Sequence, residues 1–385
     1  MDEKSAPRVI VGLSGGVDSA VAALLLKDQG FDVQGLFMSN WDDDDGYCTA
    51  AEDFQDARAV ARELAIPLHR VSFAAEYRAR VFDRFLAEHR AGRTPNPDVL
   101  CNREVKFGVA LGYARRLGAE WLATGHYARL VRGPHGVELH RALDDAKDQT
   151  YFLHAVERRD LERALMPLGT LVKEEVRERA RRAGLPVFDK PDSTGICFIG
   201  ERPFREFLAR YLPDDPGPIE SPEGRRLGTH RGFAFYTLGQ RAGLSIGGLQ
   251  GRAHEPWYVA AKDPPRNALI VVQGRNHPLL RHGELATGPM HWLTTPPEAP
   301  RRCSVRVRHR QPVEPALLEP LANGTVRITF DAPQRAVTPG QYAVAYDGSL
   351  CLGGGVIERV LPDIITDSAR TPEREASKAP LRRSS

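Results

Sequence analysis

The residues best suited to chemistry come early in the chain, in the run Ser14-Gly15-Gly16-Val17-Asp18-Ser19, between an apolar stretch and a helical pattern. Glycines let the backbone approach an anion without a Cβ in the way. The loop amides and the positive end of the following helix then face the negative charge. The run lacks the lysine of a Walker A loop and the third glycine of a dinucleotide fingerprint. The pattern SGGxDS is typical instead of enzymes that cleave ATP between its α- and β-phosphates.

Each polar side chain of this loop has an expected role. Ser14 and Ser19 are expected to donate hydrogen bonds to phosphate, and Asp18 to assist magnesium pyrophosphate. Ligands of open α/β sheets lie outside the carboxyl ends of the strands. We therefore expect Met38 and Gly125, at the ends of the second and fourth strands, to form walls for adenine and ribose. A glycine-rich turn without a ligand is the alternative interpretation.

Two cysteines, Cys101 and Cys197, lie in stretches whose glycine, proline and asparagine residues predict shaped loops rather than helix interiors. A thiolate is the reactive form of cysteine, and nearby cations lower the thiol pKa. Arginines and lysines occur close to both cysteines in the sequence. A reactive pair and two inert buried thiols both remain open on this pattern. For Cys48, Cys303 and Cys351, near apolar segments, a small buried side chain is favoured.

The bulk composition narrows the class of protein. The chain has 385 residues, a formal net charge of +3 and five cysteines with no CxxC pair. This length predicts two or three domains, and the cysteine spacing argues against a disulfide scaffold, a zinc knuckle or an iron–sulfur cluster. A polar N-terminus and the absence of a long apolar run predict no signal peptide and no membrane span. We therefore expect a cytoplasmic protein in a reducing compartment.

The elements that must position these residues follow an alternating pattern in the first half. Residues 1–205 alternate strand-like and helix-like segments, which predicts an α/β domain with a doubly wound parallel sheet. The predicted strands and helices are Arg8–Leu13, Asp18–Gln29, Val33–Met38, Thr49–Ala65, Leu68–Phe73, a helix ending near Arg90, Glu104–Leu117, Trp121–Gly125 and Thr170–Ala183.

Short β-rich segments replace the long helices after about Tyr211. They predict a small β-rich central domain over residues 206–284, a C-terminal β-barrel over 285–362 and a disordered tail over 363–385. Predicted strands here are Gly232–Tyr236, Trp257–Ala261, Ala268–Val272, Cys303–His309, Thr325–Phe330 and Gln341–Tyr346. Alternation along a strand places Arg302, Arg306, Arg308 and Arg310 on one face. Phosphate contacts and a solvated face both fit these arginines.

Several motifs, taken together and in order, resemble those of the tRNA-specific 2-thiouridylase family usually called MnmA. The resemblance covers about Val9 to Leu361. The matching segments are Gly12–Ser19, Gly35–Met38, Gly92–Cys101, Ala123–Tyr127, Lys147–Gln149, Asp192–Gly200, Thr237–Arg241 and Cys351–Gly355. The family fold is an ATP-pyrophosphatase domain, adenine nucleotide α-hydrolase-like, followed by a central β domain and a tRNA-binding barrel.

The resemblance implies a role for each matching position. ATP would be bound, with magnesium, by Gly12, Leu13, Ser14, Gly15, Gly16, Val17, Asp18, Ser19, Met38 and Gly125. Cys197 would carry the incoming sulfur as a persulfide, with Cys101 as its partner. Asn96, Pro97 and Asp98 would contact the target base. Other tRNA contacts would come from His126, Lys147, Asp148, Gln149, Arg308, His309 and Gln341. His309 departs from the family, where a tyrosine is expected.

The resemblance also implies a reaction in which the ATP-binding, cysteine and tRNA-binding residues act together. The C2 oxygen of a wobble uridine in the tRNA anticodon loop attacks the α-phosphorus of ATP, and sulfur from the Cys197 persulfide then replaces AMP. Asp98 is a candidate proton carrier, with a turn-forming residue as the alternative. The persulfide would come from a cysteine desulfurase or a sulfur-relay carrier. Two other classes share the loop: an amide-forming ligase, and an RNA-binding protein with an idle nucleotide loop.

Overall fold

The computed structural model describes residues 6–41, 50–134, 136–192, 204–244, 246 and 255–361. Cys48, Cys197 and the tail predicted over 363–385 lie outside the described residues. Among the described helices, none combines the length and the apolar character needed to span a bilayer.

The first half of the chain is organised around a five-stranded parallel sheet. Its strands are β1 (Arg8–Gly12), β2 (Asp32–Ser39), β3 (Leu68–Ser72), β4 (Trp121–Ala123) and β7 (Ala164–Leu165). They run in the order β3-β2-β1-β4-β7. Val9 and Val11 pack into the core on one face, and Ile10 into the core on the other. The predicted doubly wound α/β fold is confirmed, because helices cover both faces.

The helices of this half follow the predicted alternation. They are α1 (Val17–Asp28), α2 (Ala50–Glu63), α3 (Ala74–Tyr77), α4 (Asp83–Arg90), α5 (Pro97–Leu100), α6 (Leu111–Arg116), α7 (Thr150–Leu153), α8 (Arg158–Leu161) and α9 (Lys173–Arg182). π-Helical segments, Arg78–Phe82 and Cys101–Ala110, join α3 to α4 and α5 to α6.

One helix boundary corrects the sequence analysis. The helix predicted to start at Glu104 starts at Pro97, so Cys101 lies inside a continuous helix and not in a loop. The Asn96 side chain accepts a hydrogen bond from the Asp98 amide, and Pro97 occupies the first helical position. Proline is tolerated there because its missing N–H has no partner in the helix anyway. These residues therefore begin a helix, where we had expected them to shape a loop.

A four-stranded sheet follows the short helix α10 (Phe204–Ala209). Its strands are β8 (Gly217–Glu220), β9 (Arg226–His230), β10 (Trp257–Asp263) and β11 (Ala268–Gln273), in the order β10-β11-β8-β9. The strand predicted over Gly232–Tyr236 is wrong, because Phe233–Phe235 forms a 3₁₀ turn. Phe207 of α10 and Tyr211 just after it pack edge-on against Trp41 and Phe82 respectively, so this segment shares an aromatic core with the first half.

The C-terminal strands close into the predicted antiparallel barrel. Its six strands are β12 (Arg281–Thr287), β14 (Arg301–Arg306), β15 (Glu314–Pro320), β16 (Val326–Arg335), β17 (Tyr342–Asp347) and β18 (Leu350–Leu361). Pairing of β12 with both β16 and β18 closes the cylinder. The short strand β13 (His291–Trp292) pairs with β18. A hairpin from the first half, β5 (Ala128–Gly133) and β6 (Gly136–Arg141), joins the barrel where Leu350 faces His140.

Candidate active site

The Ser14–Ser19 loop is held in shape by its own side chains. The Ser19 hydroxyl accepts a hydrogen bond from the Ser14 amide at 3.1 Å and donates to the Gly16 carbonyl at 3.1 Å. The Ser14 and Ser19 hydroxyl oxygens lie 3.2 Å apart. Gly15 has φ +78°, which favours glycine. The loop therefore turns from β1 into α1, and Gly16 begins the helix without a side-chain cap.

Met38 and Gly125 lie where the sheet order places them, on either side of the end of β1. A Cβ on Gly12 would contact the Met38 methyl group at 3.4 Å. A Cβ on Gly125 would lie 2.7 Å from the Ser19 amide nitrogen and 2.8 Å from the Asp18 carbonyl carbon. Only glycine lets the segment after β4 approach the start of α1 this closely. The structure thus brings the residues predicted to bind ATP together at the carboxyl end of the sheet, a region called the ATP crevice below. Nucleotide binding there stays a prediction.

A charged cluster that sequence reasoning missed covers one side of this crevice. The ammonium of Lys173, at the start of α9 and nearly buried, lies 2.7 Å from Asp18 and 2.7 Å from Asp192. Tyr127 donates its hydroxyl proton to Asp18 at 2.8 Å. Burial and the neighbouring Asp18 carboxylate raise the pKa of Tyr127, so it remains a donor. The only signal in the sequence was a lysine in the first turn of the helix predicted over Thr170–Ala183, which is ordinary.

Asp192 is the hub of this cluster. Besides Lys173 it accepts from Lys147 at 2.6 Å and from Arg177 at 3.0 Å. Against the desolvation that comes with partial burial, the hydrogen bonds from Lys147 and Lys173 lower the pKa of Asp192 to about 2. Lys147, assigned to tRNA by the resemblance, is thereby placed beside the ATP crevice. Its role toward RNA stays a prediction.

A second lysine contacts the loop itself. Lys190 donates to the Gly15 carbonyl at 3.2 Å and to Asp53 of α2 at 2.8 Å. A Cβ on Gly15 would collide with the Asp53 backbone. Lys190 and α2 therefore hold the loop in place through direct contacts. The sequence indicated only that Lys190 lies close to Cys197 along the chain.

Cys101 is fully buried at the fourth residue after Pro97. The next residue, Asn102, is buried too and donates to the Asp98 carbonyl at 3.0 Å, which stiffens this first turn. Asp98 is half-buried. Cys197 lies outside the described residues, so the pairing of the two sulfurs stays a prediction. Burial raises the pKa of Cys303 to about 12 and also raises that of Cys351, which supports the inert interpretation for both.

Three residues assigned to tRNA form hydrogen bonds within the protein, two of them between distant parts of the chain. Asp148 is fully buried and accepts from Thr150 at 2.9 Å and from Arg306 of β14 at 3.0 Å. Gln341, 7% exposed, donates to the Thr94 carbonyl at 2.8 Å. Gln149 accepts from the Tyr127 amide at 2.9 Å. RNA contact by these residues stays a prediction, whereas the structure shows each of them in a hydrogen bond within the protein.

The predicted arginine face is wrong beyond Arg306, although Arg302 and Arg306 do lie on one face of the strand. Strand β14 ends at Arg306, so Arg308 and Arg310 do not continue the alternation. Arg306 is buried against Asp148, and Arg302 is paired with Asp331 on the surface. Arg306 lies on the face of β14 opposite Val305, which packs into the barrel core. Its burial against the first half is tolerated because Asp148 neutralises it. The sequence did not show that partner, because Asp148 lies 158 residues earlier.

Two of the predicted tRNA contacts are histidines held neutral by burial. The His309 ring lies 4.2 Å from the Phe152 ring, centroid to centroid, and burial lowers its pKa to about 4. His126 is 8% exposed, lies 2.8 Å from the Thr124 hydroxyl, and has its pKa lowered well below 6.5 by burial. A neutral ring can stack or hydrogen-bond but adds no charge toward phosphate. Their contact with RNA stays a prediction.

The fold and site together define a class: an α/β enzyme of the ATP-pyrophosphatase type carrying a C-terminal β-barrel. Comparisons with known proteins agree. The chain matches three family descriptions in order, the tRNA methyl transferase HUP domain over residues 7–201, the tRNA methyl transferase PRC-barrel domain over 205–273, and the aminomethyltransferase beta-barrel domain over 282–357.

Full-length relatives narrow the class to one family. The chain is 55% identical to the tRNA-specific 2-thiouridylase MnmA of Marinobacter nauticus, covering 96% of each chain. It is 56% identical to the protein of that name from Chromohalobacter salexigens, covering 92% of this chain and 93% of the other. The chain belongs to the tRNA-specific 2-thiouridylase MnmA family. A solved 4-thiouridine synthetase–RNA complex with bound ATP is 21% identical over 51% of this chain and 46% of its own, with a TM-score of 0.33, an overlap too low to carry an argument.

Proposed function

We propose that this protein is a tRNA-uridine 2-sulfurtransferase that uses ATP to activate the wobble uridine and a cysteine persulfide to deliver sulfur. Membership of the 2-thiouridylase family over almost the whole chain is the observation that carries the proposal. The ATP crevice supports the activating half of the reaction. The buried helix start at Asn96–Cys101 supports the sulfur-transferring half.

The crevice is built to bind a polyphosphate. The loop amides and the start of α1 face an anion, and Lys173 supplies the cation that the loop itself lacks. The uridine C2 oxygen attacks the α-phosphorus of ATP, the bond to the β-phosphate breaks, and pyrophosphate leaves with that bond's electrons. In this assignment Ser14, Ser19 and Lys173 hold the departing phosphates, and Gly125 and Met38 border the nucleoside.

Magnesium fits the same crevice. Mg²⁺ prefers oxygen ligands and usually takes one or two carboxylates together with substrate phosphates. Asp18 lies in the first turn of α1, beside the loop. Among the described residues, no group of three or more His, Cys, Asp or Glu side chains could hold a metal alone, which suits an ion that arrives with the nucleotide. Asp18 would hold the ion, which would supply charge neutralisation for the leaving pyrophosphate.

Sulfur transfer completes the exchange at C2. The terminal sulfur of a Cys197 persulfide attacks the activated carbon, and AMP leaves with the former uridine oxygen. Cys101 then attacks the Cys197 sulfur, leaving a disulfide between the two cysteines and the transferred sulfur on C2; alternatively Cys101 releases the sulfur before attack. A cellular thiol reductant reopens the disulfide. Asp98, on the same helical turn as Cys101, is the candidate proton carrier.

The tRNA presents its anticodon loop to this crevice. Bases there are already single-stranded, so extruding one costs only about a few kcal/mol. Asn96, Pro97 and Asp98 are proposed to contact the base, and His126, Lys147–Gln149, Arg308, His309 and Gln341 the surrounding RNA. The sulfur arrives from a persulfide donor, a desulfurase or a relay carrier, in the cytoplasm.

Reconstitution tests the function directly. Purified protein is mixed with ATP, magnesium, a persulfide donor and unmodified tRNA, and the nucleosides are analysed by mass. We expect 2-thiouridine at the wobble position, with AMP and pyrophosphate formed only when tRNA is present. Methylated nucleoside in place of thiolated would favour the activity named in the family descriptions. ATP cleavage that needs an amine and a carboxylate, and no tRNA, would favour an amide-forming ligase.

A further inference from the structure

The turn that precedes the Pro97 helix is gripped from two other parts of the molecule. Gly92 and Thr94 belong to the first half of the chain, yet their backbone polar groups bond to the central sheet and to the barrel. The Gly92 carbonyl accepts a hydrogen bond from Lys262 of β10 at 2.8 Å. The Thr94 carbonyl accepts from Gln341 at 2.8 Å, and the Thr94 amide donates to the Pro339 carbonyl at 2.9 Å.

Close packing accompanies these hydrogen bonds. A Cβ on Gly92, which has φ +75°, would lie 2.8 Å from the Phe233 ring of the central domain. A Cβ on Gly340 of the barrel would lie 2.9 Å from the Thr94 amide nitrogen. Arg93, between these residues, pairs with Glu358 of β18 at 3.0 Å. The turn is therefore packed closely against both the central domain and the barrel, with no room for an added Cβ at Gly92 or Gly340.

The link from this turn to the site is short and stiff. Only Pro95 separates Thr94 from Asn96, the residue whose side chain caps the helix. Proline fixes its own φ and keeps the preceding residue extended. With Pro95 before Asn96 and Pro97 after it, a shift of the Thr94 backbone moves Asp98 and Cys101 with it.

We propose that Gly92–Thr94 is a three-way junction through which the central sheet and the barrel set the position of the Asn96–Cys101 helix start, with Lys262 and Gln341 as its positioning residues. The inference rests on the proposed roles of Asp98 and Cys101. It gives the central sheet a task in the reaction that does not require it to touch tRNA. Neither residue touches the reacting atoms; both act through the backbone of the turn.

Burial of the Lys262 amine agrees with this geometry. Its surroundings lower the pKa of Lys262 to about 7, so the side chain is a desolvated hydrogen-bond donor more than a surface charge. A surface lysine that served RNA would keep its charge exposed to phosphate. His89, one turn before Gly92, donates its Nδ1 proton to the Ala234 carbonyl at 3.1 Å and adds a second tie to the same domain.

The test separates positioning from RNA binding. Lys262→Met removes the donor and keeps the apolar stem, while Lys262→Arg keeps a donor. The matched control is Lys27→Met, because Lys27 also donates to a backbone carbonyl, that of Leu64, far along α1 from the loop. For each variant we would measure the single-turnover thiolation rate at saturating ATP and tRNA, and the Kd for tRNA.

Small displacements of reacting groups cost large factors in rate. We expect Lys262→Met to lower the saturated rate at least about tenfold, with the tRNA Kd within about twofold of wild type, and Lys262→Arg to recover most of the rate. A saturated rate at the wild-type level would overturn the proposal. So would a raised tRNA Kd with an unchanged saturated rate, or an equal loss in Lys27→Met.

A second variant guards against misfolding. Gln341→Met removes the other donor at a residue of similar volume and is expected to slow the thiolation rate at saturating tRNA. Because Gln341 is also proposed to contact RNA, the saturated rate alone, and not the Kd for tRNA, is the readout for this variant. If Lys262→Met does not fold and Gln341→Met thiolates at the wild-type rate, the junction has no positioning role. Wild-type protein assayed in parallel distinguishes failure of the proposed function from failure of the junction proposal. If the wild-type protein does not thiolate tRNA, the proposed function is contradicted. If the wild-type protein is active and both variants match it, only the positioning role of the junction is contradicted.

Discussion

The Ser14–Ser19 loop and the start of the Pro97 helix are proposed to serve the same reaction, but they are held in different ways. The turn of the loop is shaped by hydrogen bonds between residues five positions apart, Ser14 and Ser19. Lys173 and Lys190 contact it from far along the chain, but from within the same half. The turn before the helix is tied by Thr237, Lys262 and Gln341, which lie 143, 170 and 247 residues further along the chain from their partners. The loop is therefore held by the first half alone, whereas the turn before the helix is held by the central sheet and the barrel.

This difference has a consequence for mutation. A change near the loop should alter nucleotide handling and leave the rest of the molecule folded. A change in the long-range contacts should instead lower the stability of the protein or displace the residues proposed to transfer sulfur. The following predictions exploit that contrast, from the largest expected effect to the smallest.

The largest effect is expected at the buried pair between Asp148 and Arg306. Arg306→Met removes the nearer of the two cations that pair with the buried Asp148 carboxylate and leaves only Arg141, at 3.7 Å, which should lower the free energy of unfolding by about 3–5 kcal/mol. Urea denaturation measures the change. Arg302→Met, on the same strand as Arg306, breaks the exposed pair with Asp331 and should leave the free energy of unfolding nearly unchanged. An equal loss of unfolding free energy in the two variants would show that the Arg306–Asp148 pair does not join the barrel to the first half of the chain as described.

His154 predicts an acid sensitivity of the same contact region. It is fully buried, donates its Nδ1 proton to the Tyr151 carbonyl at 2.8 Å, and burial lowers its pKa to about 4. Because the unfolded chain binds a proton near pH 6.5 and the folded one does not, stability falls as the pH drops from about 6.5 to 4, by up to about 3 kcal/mol. His154→Leu should flatten this dependence in denaturation curves. An unchanged pH profile would rule out His154 as its source.

At the ATP loop, Gly125→Ala should slow activation. The added Cβ meets the backbone of Asp18 and Ser19, which cannot yield as a flexible side chain would. We expect tRNA-dependent pyrophosphate release to fall about 100-fold with the fold retained. The control is Gly112→Ala in α6, where a Cβ would meet nothing within 4 Å; it should keep full activity. Normal pyrophosphate release by Gly125→Ala would place the nucleotide elsewhere.

The smallest effect is expected for Lys173→Met. Loss of the ammonium removes one cation beside the loop and frees Asp18 from its 2.7 Å ion pair. We expect the Kd for ATP, measured by calorimetry, to rise about tenfold, equivalent to about 1.4 kcal/mol. Lys173→Arg should lose less. Tighter ATP binding in Lys173→Met would mean that the lysine competes with the nucleotide and does not hold it.

The features that could be predicted from the sequence are those that depend on local contacts, and the features that were missed depend on contacts distant in sequence. The β1–loop–α1 unit, the parallel sheet and the barrel were predictable because each rests on local pattern: apolar runs, glycines and strand spacing. Cys101 was misplaced in a loop because proline and asparagine signal a helix start as well as a turn, and the cap that decides between them is a side-chain contact. Lys173, Asp192 and Lys262 were missed because their partners are far away in sequence.

The measurement that tests the central claim most directly is thiolation by cysteine variants in the reconstituted system. The account predicts that the Cys101→Ser, Cys197→Ser double variant still releases pyrophosphate in the presence of tRNA and ATP, because the loop is intact, but forms no 2-thiouridine. Thiolation of tRNA by that double variant at the wild-type rate would contradict the account.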